Sequence, residues 1–80
     1  DRSINKLFAR EQQRLWELQQ HLLKQLHHFE HHYSLKSIDF YQSYERGEMG
    51  DDMDFIEWAA TVEMLHKVET RLVLLEGLAK

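Results

Sequence analysis

The longest pattern in the chain is an apolar stripe over residues 3–33, a segment without proline or glycine. At about 100° per residue its large apolar side chains fall on one face of a helix. A helix of about 30 residues spans about 45 Å, longer than a compact domain of this size needs, which indicates pairing with a second long helix. The stripe consists of Ile4, Leu7, Phe8, Leu15, Leu18, Leu22, Leu26, Phe29 and Tyr33.

A second, narrower apolar line lies roughly 90–100° from this stripe on the same predicted helix. It consists of Ala9, Trp16 and Leu23, which recur at intervals of seven. Single exposed apolar residues are common, but the heptad spacing favours a packing surface for self-association or for a partner. We therefore expect these three residues to form an oligomerisation seam, and the protein to be a homo-oligomer, most simply a homodimer.

A short helix is predicted over residues of about 37–46, framed by turns. Ser34 or Ser37 is the candidate N-cap, and Gly47 stands where a left-handed C-cap belongs. Its apolar side would be formed by Ile38, Phe40, Tyr41 and Tyr44.

The last helix is predicted over residues of about 52–76, with Asp51 or Asp52 as its N-cap and Gly77 as its end. Its apolar residues alternate three and four apart, which is a heptad seam: Trp58, Thr61, Leu65, Val68, Leu72, Leu75 and Ala79. No segment alternates with the period of a strand. The sequence thus predicts one all-α domain over residues 1–80, an antiparallel hairpin of two long helices joined by a short helix and glycine turns, which dimerises into a bundle.

Composition narrows the class of protein. The 80 residues include no cysteine, which excludes disulfides and thiolate metal sites. No segment approaches the length of a membrane span, so we expect a soluble cytoplasmic protein. Residues 1–36 carry six Lys/Arg and four Asp/Glu (+2). Residues 37–80 carry four Lys/Arg and ten Asp/Glu (−6), which gives a net charge of −4. This acidity argues against direct nucleic-acid binding, and the acidic half suits a basic partner.

The six histidines are the residues whose spacing most suggests metal binding. His27 and His31, and likewise His28 and His32, are spaced i,i+4, which can bring two imidazoles to one ion. The two pairs point about 100° apart on a helix, and no third ligand is evident, so a solvated polar face is the favoured interpretation. We expect no metal, no cofactor and no catalytic site. A metal-responsive or nucleic-acid-binding regulator stays open as an alternative, which would use the histidines and a basic face of Arg2, Lys6, Arg10 and Arg14.

One stretch, residues 37–58, is more distinctive. A phenylalanine-tyrosine pair at Phe40 and Tyr41 and a further tyrosine are followed by Gly-Glu-Met-Gly-Asp at 47–51 and by Asp-Phe-Ile-Glu-Trp at 54–58. This stretch resembles the signature of a group of short helical prokaryotic proteins that look like antitoxin partners of small nuclease-type toxins. Lys36 departs from that pattern, because these proteins tend to have a serine cap there. The matching positions are Phe40, Tyr41, Tyr44, Gly47, Glu48, Met49, Gly50, Asp51, Asp54, Phe55, Glu57 and Trp58.

The resemblance implies a non-catalytic interaction module whose partner is a small basic, toxin-like protein encoded nearby. The same residues make physical sense alone, because a turn at Gly47 and Gly50 lets the aromatics converge into a corner with an acidic rim, which a basic partner can bind. Phe40 and Phe55 are expected to close the end of the hairpin. A purely structural homo-oligomerisation module is the alternative. The predicted partner-binding residues are Tyr44, Glu48, Met49, Asp51, Asp54, Glu57 and Trp58.

Overall fold

The computed structural model describes the backbone of residues 2–78 and the side chains of residues 3–78. This part of the chain contains three helices and no strand: α1 (Arg2–Tyr33), α2 (Ser37–Glu45) and α3 (Met53–Leu78). The predicted all-α class is confirmed. Contacts between the long helices pair Gln19 with Glu69, and Phe29 with Trp58. Residues later in α1 therefore contact residues earlier in α3, so the two helices run antiparallel. They form a hairpin of 50 × 21 × 17 Å.

The turn between α1 and α2 differs from the prediction. Ser34 has a φ of +51°, and the Leu35 amide donates to the Glu30 carbonyl at 3.2 Å, so Ser34 ends α1 and does not cap α2. Ser37 is the first residue of α2 and follows Lys36, whose side chain makes no cap hydrogen bond. The Ser37 amide instead donates to Glu30 Oε2 at 2.8 Å. A carboxylate of α1 thus caps α2, in place of the predicted Ser34 or Ser37.

The turn between α2 and α3 follows local sequence rules. Gly47 has a φ of +74°, its amide donates to the Tyr44 carbonyl at 3.0 Å, and the next amide donates to the Ser43 carbonyl at 3.0 Å. This confirms the left-handed C-cap. Asp52 caps α3, since its Oδ1 accepts from the Asp54 amide at 2.8 Å. Gly77 was wrongly predicted to end α3, because the helix continues to Leu78. Ala79 of the predicted seam lies outside the described residues.

The core lies between α1 and α3, with α2 closing one end. The predicted α1 stripe is buried at Leu15, Leu22 and Leu26 but exposed at Ile4 and Leu7. The physical reason is length: α1 has 32 residues and α3 has 26, so the first turns of α1 run past the described end of α3. We call this the open end of the hairpin. The buried apolar residues of the other two helices are Phe40, Trp58, Ala59, Leu65, Val68 and Leu72.

Candidate functional site at the acidic end of the hairpin

The closed end of the hairpin is built around Trp58, which is 0% exposed. Its ring stacks on Phe40, with centroids 3.9 Å apart and planes 2° apart, and on Phe29 at 5.5 Å. Its Nε1 donates to Ser37 Oγ at 2.9 Å, and Ser37 is itself buried. The prediction that Trp58 contacts a partner is therefore wrong: the side chain has no surface left to offer, because rings from α1 and α2 cover it.

The aromatic corner predicted from the turn is present. Phe40 lies 5.6 Å from Tyr44 and 5.7 Å from Phe55, measured between ring centroids. Met49 packs against the same core. Tyr44 and Met49 are half-buried, so each contributes mainly to closing the corner and only an edge to the surface.

Tyr33, at the end of α1, ties the corner to the acidic rim. Its hydroxyl donates to Asp54 Oδ2, and its ring lies 5.7 Å from Trp58. The hydrogen bond to Asp54, then burial and the negative charges of Asp54 and Asp52, raise the pKa of Tyr33 to about 12. Asp54, predicted as a partner-binding residue, is half-buried and already accepts this hydrogen bond.

This contact predicts a loss of stability in alkali. The pKa of Tyr33 lies above its ordinary value of 10.0, so the folded state holds a proton that the unfolded state releases. The stabilisation is complete below pH 10.0 and disappears as the pH rises toward about 12. Urea unfolding across this window should show a smaller decline for Tyr33→Phe than for the unchanged chain. Tyr44→Phe is the control and should decline like the unchanged chain. Equal declines for all three proteins would contradict this assignment.

The acidic rim remains accessible. Of the seven predicted partner-binding residues, Glu48, Asp51 and Glu57 are exposed. Glu48 forms an ion pair with Arg46 at 3.0 Å. Residues 37–63 contain eight Asp/Glu and one Lys/Arg, so Arg46 is the only cationic Lys or Arg side chain in this stretch. We call residues 37–63 the acidic end.

Exposed apolar side chains that are not among the predicted partner-binding residues also lie within this acidic end. Met53 and Ile56 are 69% and 42% exposed. They stand three residues apart in the first turns of α3, so they lie on one side of the helix. Ile38 at the start of α2 is exposed too. The spacing of Met53 and Ile56 is visible in the sequence. The longer heptad seam that begins at Trp58 predicts a different buried side of α3, however, so these two residues were not predicted to bind a partner.

The predicted oligomerisation seam is divided by the fold. Leu23 is half-buried and packs against the core. Ala9 and Trp16 remain exposed. One of the three seam residues therefore already has an intramolecular role, and the two that remain are two helical turns apart.

Among the side chains of residues 3–78, the histidine and arginine faces show no assembled site, and the side chain of Arg2 lies outside that range. His28 and His32 stack with ring centroids 6.4 Å apart, while His27 and His31 are exposed. Among the side chains described, no three or more His, Asp or Glu are grouped so as to hold a metal ion. Arg14 pairs with Glu11 at 2.7 Å. That contact lowers the pKa of Glu11 through the hydrogen bond from Arg14, and the charges of Arg14 and Arg71 contribute further.

Comparisons with known proteins give no match: no family model, curated protein or solved structure is similar to this chain. Across residues 2–78, no helix combines the length and apolar character that crossing a membrane requires. The geometry and charge of the acidic end are therefore the observations that bear on function.

Proposed function

We propose that this protein is a non-catalytic, antitoxin-like interaction module that neutralises a small basic protein at its acidic end. The observation that supports the proposal best is the combination found there. Exposed carboxylates of Glu48, Asp51 and Glu57 stand beside the exposed apolar side chains of Met53 and Ile56. Apolar anchors within a charged rim are the usual composition of a specific protein interface.

The charge of the acidic end defines the partner. Eight carboxylates against one Lys/Arg attract a basic surface over a distance of about one Debye length, about 8 Å at physiological ionic strength. A protein that grips nucleic-acid phosphates carries such a surface. Carboxylates that occupy it in place of phosphates would block nucleic-acid binding, which is the action expected of an antitoxin against a nuclease-type toxin.

The rigidity of the acidic end supports the same proposal. Asp52 caps α3, Gly47 ends α2, and the stacked rings of Phe40 and Trp58 hold the two helices together. A surface that is ordered before binding loses little conformational entropy when the partner arrives. The partner-binding set is therefore revised to the exposed carboxylates with Met53 and Ile56, and Trp58 becomes its buried support.

Charge reversal at the acidic end tests this function. The chain is co-expressed with the small basic protein encoded beside it, and association is followed with the purified pair. Glu48→Lys with Asp51→Lys should lower the association rate constant by about tenfold or more at low salt and weaken its salt dependence. Glu17→Lys with Glu76→Lys is the matched control: it changes net charge equally at exposed positions outside residues 37–63, and its rate should stay much closer to that of the unchanged chain.

Two outcomes would refute the proposal. One is a neighbouring protein that neither binds this chain nor arrests growth when expressed alone. The other is an equal effect of the two double variants, which would show that net charge matters and the acidic end does not. In the first case the structural homo-oligomerisation module becomes the better description, because α3 carries a second apolar side.

A further inference from the structure

Helix α3 carries two apolar strips on different parts of its surface. One strip is buried in the core through Leu65 and Leu72. At about 100° per residue a second apolar band, about 80° wide, is centred roughly 130° around the helix from Leu65 and Leu72. We call this band the outer face, and only Lys67 and Arg71 interrupt it. A contiguous exposed apolar band usually marks an interaction surface. The apolar residues of the outer face, all exposed, are Met53, Ile56, Ala60, Met64, Leu74 and Leu78.

The hairpin exposes more surface than a compact chain of its mass. Its accessible area is 6301 Å², whereas a folded monomer of this mass exposes about 5,100 Å². Its radius of gyration is 15.7 Å, against about 12 Å for a compact 80-residue domain. The excess area exceeds the roughly 800 Å² that each partner contributes to a stable interface. A 50 × 21 Å face of the hairpin is large enough to supply it.

Two shallow grooves run along the boundary of α1 and α3 beside the outer face. Their volumes are about 590 and 780 Å³, both contain Leu18, and neither includes a residue of α2. Met64 lines the first groove, and Leu75 and Leu78 line the second. This apolar side of the hairpin is therefore open along both helices.

Three residues at the edge of the outer face identify what covers it. Glu57, Met64 and Arg71 are spaced seven apart and all are exposed, so they form one line along α3, each step being about 10.5 Å. An identical helix laid antiparallel across this line, with Met64 against Met64, places Glu57 opposite Arg71 of the second copy. The two-fold symmetry of such a contact repeats this pair at the other end.

We propose that a second copy of this chain covers the outer face, antiparallel, with α3 against α3 and Met64 at the two-fold axis. This interaction surface differs from the Ala9, Trp16 and Leu23 seam, but it includes Met53, Ile56 and Glu57, which the proposed toxin-like partner would also contact. A second copy and that partner therefore compete for the first turns of α3. Glu48 and Asp51, at the turn before α3, lie away from the centre of this contact and stay available for that partner.

The distribution of charge selects the antiparallel arrangement. In the folded hairpin, residues 2–17 and 70–78 form the half at the open end, with five Lys/Arg and three Asp/Glu (+2). Residues 18–69 form the other half, with four Lys/Arg and ten Asp/Glu (−6). A parallel dimer would place two halves of −6 side by side, whereas the antiparallel dimer places each against a half of +2.

Sedimentation equilibrium on the full chain tests the contact. The unchanged chain should have twice the mass of 9.7 kDa. Met64→Glu places two carboxylates together at the two-fold axis and should raise the dissociation constant by about a hundredfold or more. Trp16→Glu is the matched control, because Trp16 is 47% exposed and Met64 is 49% exposed, and it should leave the dimer intact. Circular dichroism verifies that both variants keep their helix content.

A charge exchange tests the orientation. Glu57→Arg alone and Arg71→Glu alone should each weaken the dimer by about tenfold or more, because each creates two like-charged pairs. The two changes together restore opposite charges and should restore the dimer. Failure of this rescue, dissociation by Trp16→Glu in place of Met64→Glu, or a monomeric mass for the unchanged chain would each overturn the inference. Partner binding is measured separately with the Glu48→Lys, Asp51→Lys variant, because Glu57→Arg changes a residue of both proposed surfaces.

Discussion

Replacing Trp58 with alanine is expected to remove a large part of the protein's stability and to lower its melting temperature strongly. The ring is fully buried between Phe40 and Phe29, and truncation of a buried tryptophan costs about 3–5 kcal/mol. An 80-residue domain has a total stability of about 4–12 kcal/mol. The change also leaves the buried Ser37 hydroxyl without the donor that it accepts from, which adds to the loss. Thermal unfolding followed by circular dichroism measures the effect.

Trp16→Ala is the control for this experiment, since the second tryptophan is exposed on α1. Its melting temperature should stay within a few degrees of the unchanged chain, because exposed substitutions change stability by about 0.5 kcal/mol or less. A Trp58→Ala variant that melts with the control would show that the stacked corner does not hold the hairpin closed. The proposal that the aromatic corner supports the acidic end would then be wrong.

Replacing Phe40 with alanine should have the second-largest effect, and its consequence is more local. Phe40 is the fully buried apolar residue of α2 and stacks on Trp58 at 3.9 Å. Its loss costs about 3–5 kcal/mol and removes the main contact that holds α2 on α3. The freed face of Trp58 then meets water. We expect a lower urea midpoint together with a red shift of tryptophan emission, before the long helices lose their helicity.

Ile38→Ala provides a control on the same helix, because Ile38 is exposed. It changes the helix propensity of α2 slightly and removes no buried contact, so its midpoint and emission should match the unchanged chain. Identical emission for Phe40→Ala would show that another residue seals this face of Trp58. The Phe40→Ala and Ile38→Ala variants also test function. If α2 detaches in Phe40→Ala, Glu48 and Asp51 lose their fixed positions, so partner association should slow even though no charge has changed.

Local rules were sufficient to predict the helices and their turns. The absence of breakers over residues 3–33, the left-handed Gly47 and the Asp52 cap each act within a few residues, so they are visible in the sequence. The matching apolar stripes of α1 and α3 also required the two long helices to pack together, because neither can bury its stripe alone. Gly77 shows the limit of such rules, since glycine permits a helix to end without requiring it.

Tertiary contacts decided the rest. Glu30 caps α2 from seven residues away, and the cap exists only because the turn at Ser34 brings the end of α1 beside the start of α2. Periodicity placed Trp58 on the seam, but only the rings of Phe40 and Phe29 on both of its sides show that no partner can reach it.

The exposure of the outer face of α3 likewise depends on packing. A heptad pattern describes spacing, and two apolar sides of one helix give similar spacings. Which side meets α1 depends on how the hairpin closes, and the side left open at Met64 is known only once it has closed. The sequence by itself therefore determined the helices, the acidic end and the need for a hairpin. The tertiary structure alone decided which aromatics are sealed and which apolar side is left for another chain, because burial depends on contacts between residues far apart in sequence.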